Sequence, residues 1–138
     1  MIENIEDHRW MLKESLEPEF RALINSNLCF EALVTSCHLD NLNVLLSRYP
    51  QLRVVIDHAG KPDILNRDFS RWSEQMRQLA QYPTVFCKLS GLVTEVGSHW
   101  QIDQLRSYLD HIIRVFGAKR VMWSSDWPVC TLVASYSA

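Results

Sequence analysis

The sequence lacks most of the signatures that would name a function at once. No stretch of about 18 uncharged apolar residues occurs, so no segment is built to cross a bilayer as a helix. The opening residues, MIENIEDHRW, are acidic and lack the basic and apolar regions of a secretory leader. A formal net charge of -2 leaves no electrostatic footprint for nucleic acid or an acidic membrane surface. No G-x-G-x-x-G follows an apolar run, which argues against a dinucleotide site. There is also no G-x-x-x-x-G-K-[ST] phosphate loop and no G-x-S-x-G nucleophile turn. Cys29, Cys37, Cys87 and Cys130 include no C-x-x-C pair, and three of them lie within or beside apolar runs. They are expected to be reduced, packed thiols rather than a zinc cage, which suits a cytoplasmic protein.

What is present is an ordinary globular composition in 138 residues, with 47% apolar and 22% charged, enough for one domain spanning residues 1–138 with a real core. Four apolar runs read as buried strands: Leu28 to Thr35, Leu52 to His58, Thr84 to Gly91 and Arg120 to Asp126. Helical periods lie before and between them. Phe20, Leu23 and Ile24 precede the first strand; Leu39, Leu42, Leu45 and Leu46 follow it. Phe69, Trp72, Met76, Leu79 and Ala80 mark a third helix. Ile102, Leu105, Leu109, Ile112, Ile113 and Phe116 mark the longest, closed by Gly117. Strict alternation of helix and strand gives an α/β chain with a parallel sheet and right-handed crossovers. An open doubly wound sheet or part of a (β/α)8 barrel both fit. A whole barrel typically needs about 250 residues, so four strands are about half of one. With no strand before the first helix and no helix after the last strand, the chain is expected to be truncated.

In either architecture, functional groups gather at the C-terminal ends of parallel strands. Those ends carry Thr35-Ser36-Cys37-His38, Asp57-His58, Lys88-Leu89-Ser90 and Ser124-Ser125-Asp126. His38 falls in the first turn of the next helix, a capping position and a loop position at once. Strand alternation would put Asp57 and His58 on opposite sides, with Asp57 holding a neighbouring group and His58 sharing a face with Val54 and Ile56. A lone strand-end histidine is more often packing than reagent; an acid on the same rim, Asp126, turns the balance toward metal or acid-base chemistry. Lys88 is a charge within an apolar strand, so it should meet a carboxylate or an anionic substrate. Trp123 and Trp127 suit packing or a pocket wall. Asp126 is either a turn residue or a reagent at the mouth of a site.

The blocks VIDHAGKP, CKLSGLVTE and MWSSDWPV, within a match running from about residue 6 to residue 136, resemble the amidohydrolase-related metal-dependent hydrolases of the TIM-barrel fold, in their sugar-lactonase and fuconolactonase-like branch. The resemblance implies the C-terminal half of a (β/α)8 barrel, with these strands as its fifth to eighth. It implies lactone hydrolysis by attack of water. Asp126 matches the general base and His58 the residue that ligates metal or polarises the carbonyl, so both are implied catalytic residues and metal ligands. Lys88 and Ser90 match a block near the substrate, with Trp127 and His38 as further substrate-binding candidates. The implied cofactor is a divalent metal, zinc in the first instance, although the branch has metal-independent members. The implied partner is a small lactone or carboxylate, with no nucleic acid and no membrane.

The chain departs from that pattern in lacking a His-x-His pair; His8 and His38 stand too far apart in sequence to replace it. An inactive half-barrel fragment and a small-molecule binding module are the alternatives. Unpaired sheet edges and an inward face carrying Ile56 and Phe86 lead to an expectation of self-association.

Overall fold

The computed structural model describes residues 5–66 and 68–135; Tyr136, at the end of the matched region, lies outside them. Helix α1 (Glu17–Asn25) starts with Pro18 in its first turn, where the missing N–H costs nothing. It leads to β1 (Cys29–Ala32), α2 (Leu39–Arg48), β2 (Arg53–Ile56), α3 (Phe69–Leu79) and β3 (Val85–Leu89). A short α4 (Leu92–Val96), α5 (Ile102–Phe116) and β4 (Val121–Trp123) complete the order. The four strands form one sheet in the order β1-β2-β3-β4, and every pairing is parallel.

The expected helices are present because their apolar stripes bury against one face of the sheet. Leu39, Leu42, Leu45 and Leu46 of α2 and Trp72, Met76 and Leu79 of α3 are all fully buried in one core with Val54, Ile56, Val85 and Cys87. On α5 the stripe is narrower than expected: Leu105, Ile112 and Phe116 are buried, whereas Ile102 and Ile113 are exposed. Helix α4 was not expected. Five residues are too few to show a period, and the helix starts from Gly91 in a left-handed conformation.

Register fixes the two faces. Ile56 pairs with Cys87, and Val55 pairs with Phe86. Pleat alternation therefore sends Ile56 and Phe86 to opposite faces. Ile56 lies under the helices, which corrects its expected inward position, while Glu31, Val55, Phe86, Lys88 and Met122 share the other face.

The strands are shorter than their apolar runs. β2 ends at Ile56, and Asp57–Gly60 forms a tight turn in which His58 (φ 51°) and Ala59 (φ 52°) are left-handed. Alternation thus stops before Asp57 and does not govern where His58 points. Trp72 of α3 donates its indole N–H to Ala59 O at 2.8 Å inside the core, tying this strained turn to a helix.

Candidate functional site

The turn after β2 places the His58 ring between the ends of β3 and β4. Its Nδ1 lies 2.8 Å from Ser90 Oγ, just beyond β3. Its Nε2 lies 3.6 Å from Asp126 Oδ1, just beyond β4. That separation is longer than a direct hydrogen bond and leaves the two atoms side by side. A carboxylate beside Nε2 favours a proton there. Ser90 then donates its O–H to Nδ1, and Nε2–H faces Asp126. Ser90 is buried, with its hydroxyl against the ring.

Asp126 also has a left-handed backbone (φ 59°), and its carbonyl accepts from Cys130 N at 2.9 Å. The chain thus turns sharply after β4, which supports the reading of Asp126 as a residue held in place by its loop. Trp127 follows with 66% of its surface exposed, a side chain on the rim rather than in the core.

Gly91 was not singled out from the sequence. A Cβ there would come 2.8 Å from His58 Nδ1 and 3.0 Å from Asp126 Oδ2, at a φ of +66° that side chains resist. A glycine closing the apolar run Thr84 to Gly91, directly after Ser90, was the available signal.

Lys88 meets two carboxylates: Asp57 Oδ1 at 2.8 Å and Glu31 Oε1 at 3.1 Å. Its hydrogen bond to Asp57 is the main cause that raises the ammonium above its ordinary pKa, with Glu31 adding to it against burial. The two expectations, that Lys88 meets a carboxylate and that Asp57 holds a side chain, describe the same ion pair.

His38 is 1% exposed and makes no contact with His58 or Asp126 among the described interactions. Its Nδ1 lies 2.9 Å from Thr35 Oγ1 and 3.3 Å from Thr35 N, forming a capping box before α2. The His8 ring meets it edge-on with centroids 5.1 Å apart, so two histidines isolated in sequence are neighbours in space. Burial, followed by the neighbouring His8, pushes the His38 imidazole below its usual range. Cys29 is half-buried and Cys87 and Cys130 are buried, as packed thiols would be, and burial pushes the Cys87 thiol far up. Cys37 departs from the expectation and is exposed.

A cavity of about 340 Å³ opens beside the rim between Ser90, Gly91, Trp100, Leu105, Trp123 and Cys130. His58 and Asp126 are not among its lining residues.

The amidohydrolase family profile matches residues 7–138, nearly the whole chain. The chain belongs to the amidohydrolase family. Among amidohydrolase relatives, an L-fucono-1,5-lactonase of Burkholderia ambifaria is 42% identical over 99% of this chain, which covers 47% of that protein. A crystal structure of an amidohydrolase from Burkholderia multivorans with bound HEPES superposes with a TM-score of 0.89 at 33% identity. Another, with bound zinc, also gives 0.89, at 34% identity. Each match covers 99% of this chain and 51% of the crystallised one. The amidohydrolase chain thus spans about half the length of these relatives, and its four-stranded parallel sheet is half of a (β/α)8 barrel. Among the described residues, no helix is long and apolar enough to cross a membrane.

Proposed function

We propose that this chain supplies one half of a lactone-hydrolysing site, with Asp126 as general base and His58 as the group that polarises the lactone carbonyl. The observation that carries this reading is the Ser90–His58–Asp126 arrangement. Ser90 orients a ring whose other nitrogen shares a space with a carboxylate, at 2.8 Å and 3.6 Å respectively. The name of the Burkholderia ambifaria relative supports a sugar lactone as substrate.

In the proposed reaction, the His58 Nε2–H hydrogen-bonds the carbonyl oxygen. Asp126 takes a proton from water as the water oxygen bonds to the carbonyl carbon. The tetrahedral oxyanion remains on the Nε2–H donor. When the ring C–O bond breaks, protonated Asp126 returns its proton to the leaving oxygen, giving a hydroxy acid. General-base help of this kind is typically worth about 10²–10⁴-fold. Lys88 is already neutralised by Asp57 and Glu31, so it supports the rim and has little charge left for an anionic substrate. Trp127 offers an exposed aromatic wall, and His38 stays with its helix cap.

The zinc in the Burkholderia multivorans structure raises the question of a metal here. His58 and Asp126 offer two donors, and Gly91 leaves the space beside both open. Catalytic zinc sites take three protein ligands. Among the described residues no third His, Cys, Asp or Glu joins this pair. The residues present do not complete a metal shell, so no step is assigned to a metal. The second reading is an inactive half-barrel or a small-molecule binding module.

Complementation tests the choice. This chain is co-expressed with the N-terminal half of the Burkholderia ambifaria relative, and hydrolysis of L-fucono-1,5-lactone is followed. The expected result is turnover that Asp126→Asn lowers at least about 10²-fold in kcat while KM stays within a few fold. Turnover indifferent to Asp126→Asn overturns the assignment. A well-folded complex without turnover supports the second reading.

A further inference from the structure

The unexpected meeting of His8, Cys37 and His38 lies outside the His58–Asp126 site. One ligand atom from each of the three lies within 4.8 Å of the others. Ligand atoms around a tetrahedral zinc stand roughly 3.5 Å apart, from bond lengths of about 2.0–2.3 Å. His8 and Cys37 are exposed, and both side chains rotate to bring the three donors onto one ion.

His38 provides an independent pointer. Its Nε2 is buried with no hydrogen-bond partner, although the residue is 99% covered (1% exposed). A buried N–H or lone pair left unmet costs on the order of 1–3 kcal/mol, so such a group calls for an explanation. The other ring nitrogen, Nδ1, is held 2.9 Å from Thr35 Oγ1. A metal-ligating histidine typically has one ring nitrogen held by a neighbour, which here leaves Nε2 for an ion. The backbone is organised as well. Asn41 of α2 donates to His8 O at 2.9 Å, holding the segment before α1 against the turn that carries Cys37 and His38. Cys37 Sγ lies 3.0 Å from Thr35 Oγ1 and 3.4 Å from His38 Nδ1, so the thiol sits against the ring and turns about its Cα–Cβ bond to meet an ion at Nε2.

The geometry points to a second, non-catalytic metal site at His8, Cys37 and His38, which takes a borderline-soft divalent ion such as Zn²⁺ and leaves its fourth position to water. Two imidazoles and a thiolate are the donor set for such an ion, whereas Mg²⁺ and Ca²⁺ want oxygen. Binding replaces the Cys37 S–H proton with the metal and releases it to solvent. The ion also joins the segment before α1 to the first turn of α2.

Cobalt and zinc titrations of the whole chain test this. Co²⁺ should give a thiolate-to-cobalt absorption band, and Zn²⁺ should displace it and protect Cys37 from alkylation. Cys37→Ser should abolish the band. His8→Ala, at an exposed position, should weaken Zn²⁺ binding at least about 10-fold, since even a supporting partner is worth that much. The combined variant His58→Ala, Asp126→Asn should keep both band and affinity, which separates this site from the proposed catalytic pair. No band in the wild-type chain overturns the inference. So does a band that survives Cys37→Ser, or one that disappears in the combined variant.

Discussion

Gly91 sits so close to His58 that a Cβ on it would come 2.8 Å from the ring's Nδ1. The contact falls on the side of the ring that Ser90 holds, so position 91 and the His58 orientation are coupled. Gly91→Ala should destabilise the fold by about 1–2 kcal/mol through its left-handed backbone alone. It should also break the Ser90–His58 contact. Urea unfolding and the NMR shifts of the His58 ring check both; an unchanged ring environment would show that the site has room to spare.

Ser90→Ala should act through His58. In a complemented enzyme it should lower kcat by about 10-fold, less than Asp126→Asn, because it removes an orienting bond rather than the base. The pH dependence of kcat should shift with it, whereas a purely structural loss would lower activity evenly across pH. Ser90→Thr keeps the hydroxyl and should restore part of the activity.

Lys88→Met should destabilise the chain by roughly 1–2 kcal/mol, because Asp57 stays buried without its partner while Lys88 itself is partly exposed. The folded-state pKa of Lys88 is raised. Its contribution is therefore complete below the unfolded value of about 10.4 and fades as pH rises through the folded value. Urea midpoints should converge for wild type and Lys88→Met above that window and separate below it.

Arg120 is a quieter structural centre. Its guanidinium donates to the carbonyls of Ala80 at 3.0 Å, Tyr82 at 2.9 Å, Val85 at 3.2 Å and Phe116 at 3.2 Å. It thereby joins the ends of α3 and α5 to the start of β3. Arg120→Lys keeps the charge but loses the planar fork, and should cost about 1–3 kcal/mol in urea unfolding. A change within about 0.5 kcal/mol, the usual range of surface substitutions, would place Arg120 among them.

The outer edges of β1 and β4 have no strand beside them among the described residues, and Trp123 of β4 is 79% exposed. Four strands are half of an eight-stranded closure. The isolated chain is expected to dimerise, to bind a partner half or to aggregate, and sedimentation at micromolar concentration reads which. Trp123→Lys should shift it toward monomer; a wild-type monomer with protected edge amides would remove the expectation.

The sequence by itself determined the α/β alternation, the parallel sheet, the buried stripes of α2 and α3, and the strand ends that carry His58 and Asp126. Those features are local: period, β-branched runs and Gly or Pro punctuation act over a few residues, and parallel pairing follows from the crossovers. What sits at the site depended on contacts the pattern does not encode. The left-handed turn at His58 and Ala59 overrode strand alternation, because Trp72, 13 residues away from Ala59, bonds that turn into the core. Pairing register, rather than hydrophobicity, put Ile56 under the helices and Phe86 on the open face. His8 and Cys37 met His38 because Asn41 reaches back 33 residues to hold the chain before α1. The tertiary structure decided these matters because a strained turn, a register and a long-range bond each draw their stability from packing, and packing is a property of the assembled chain.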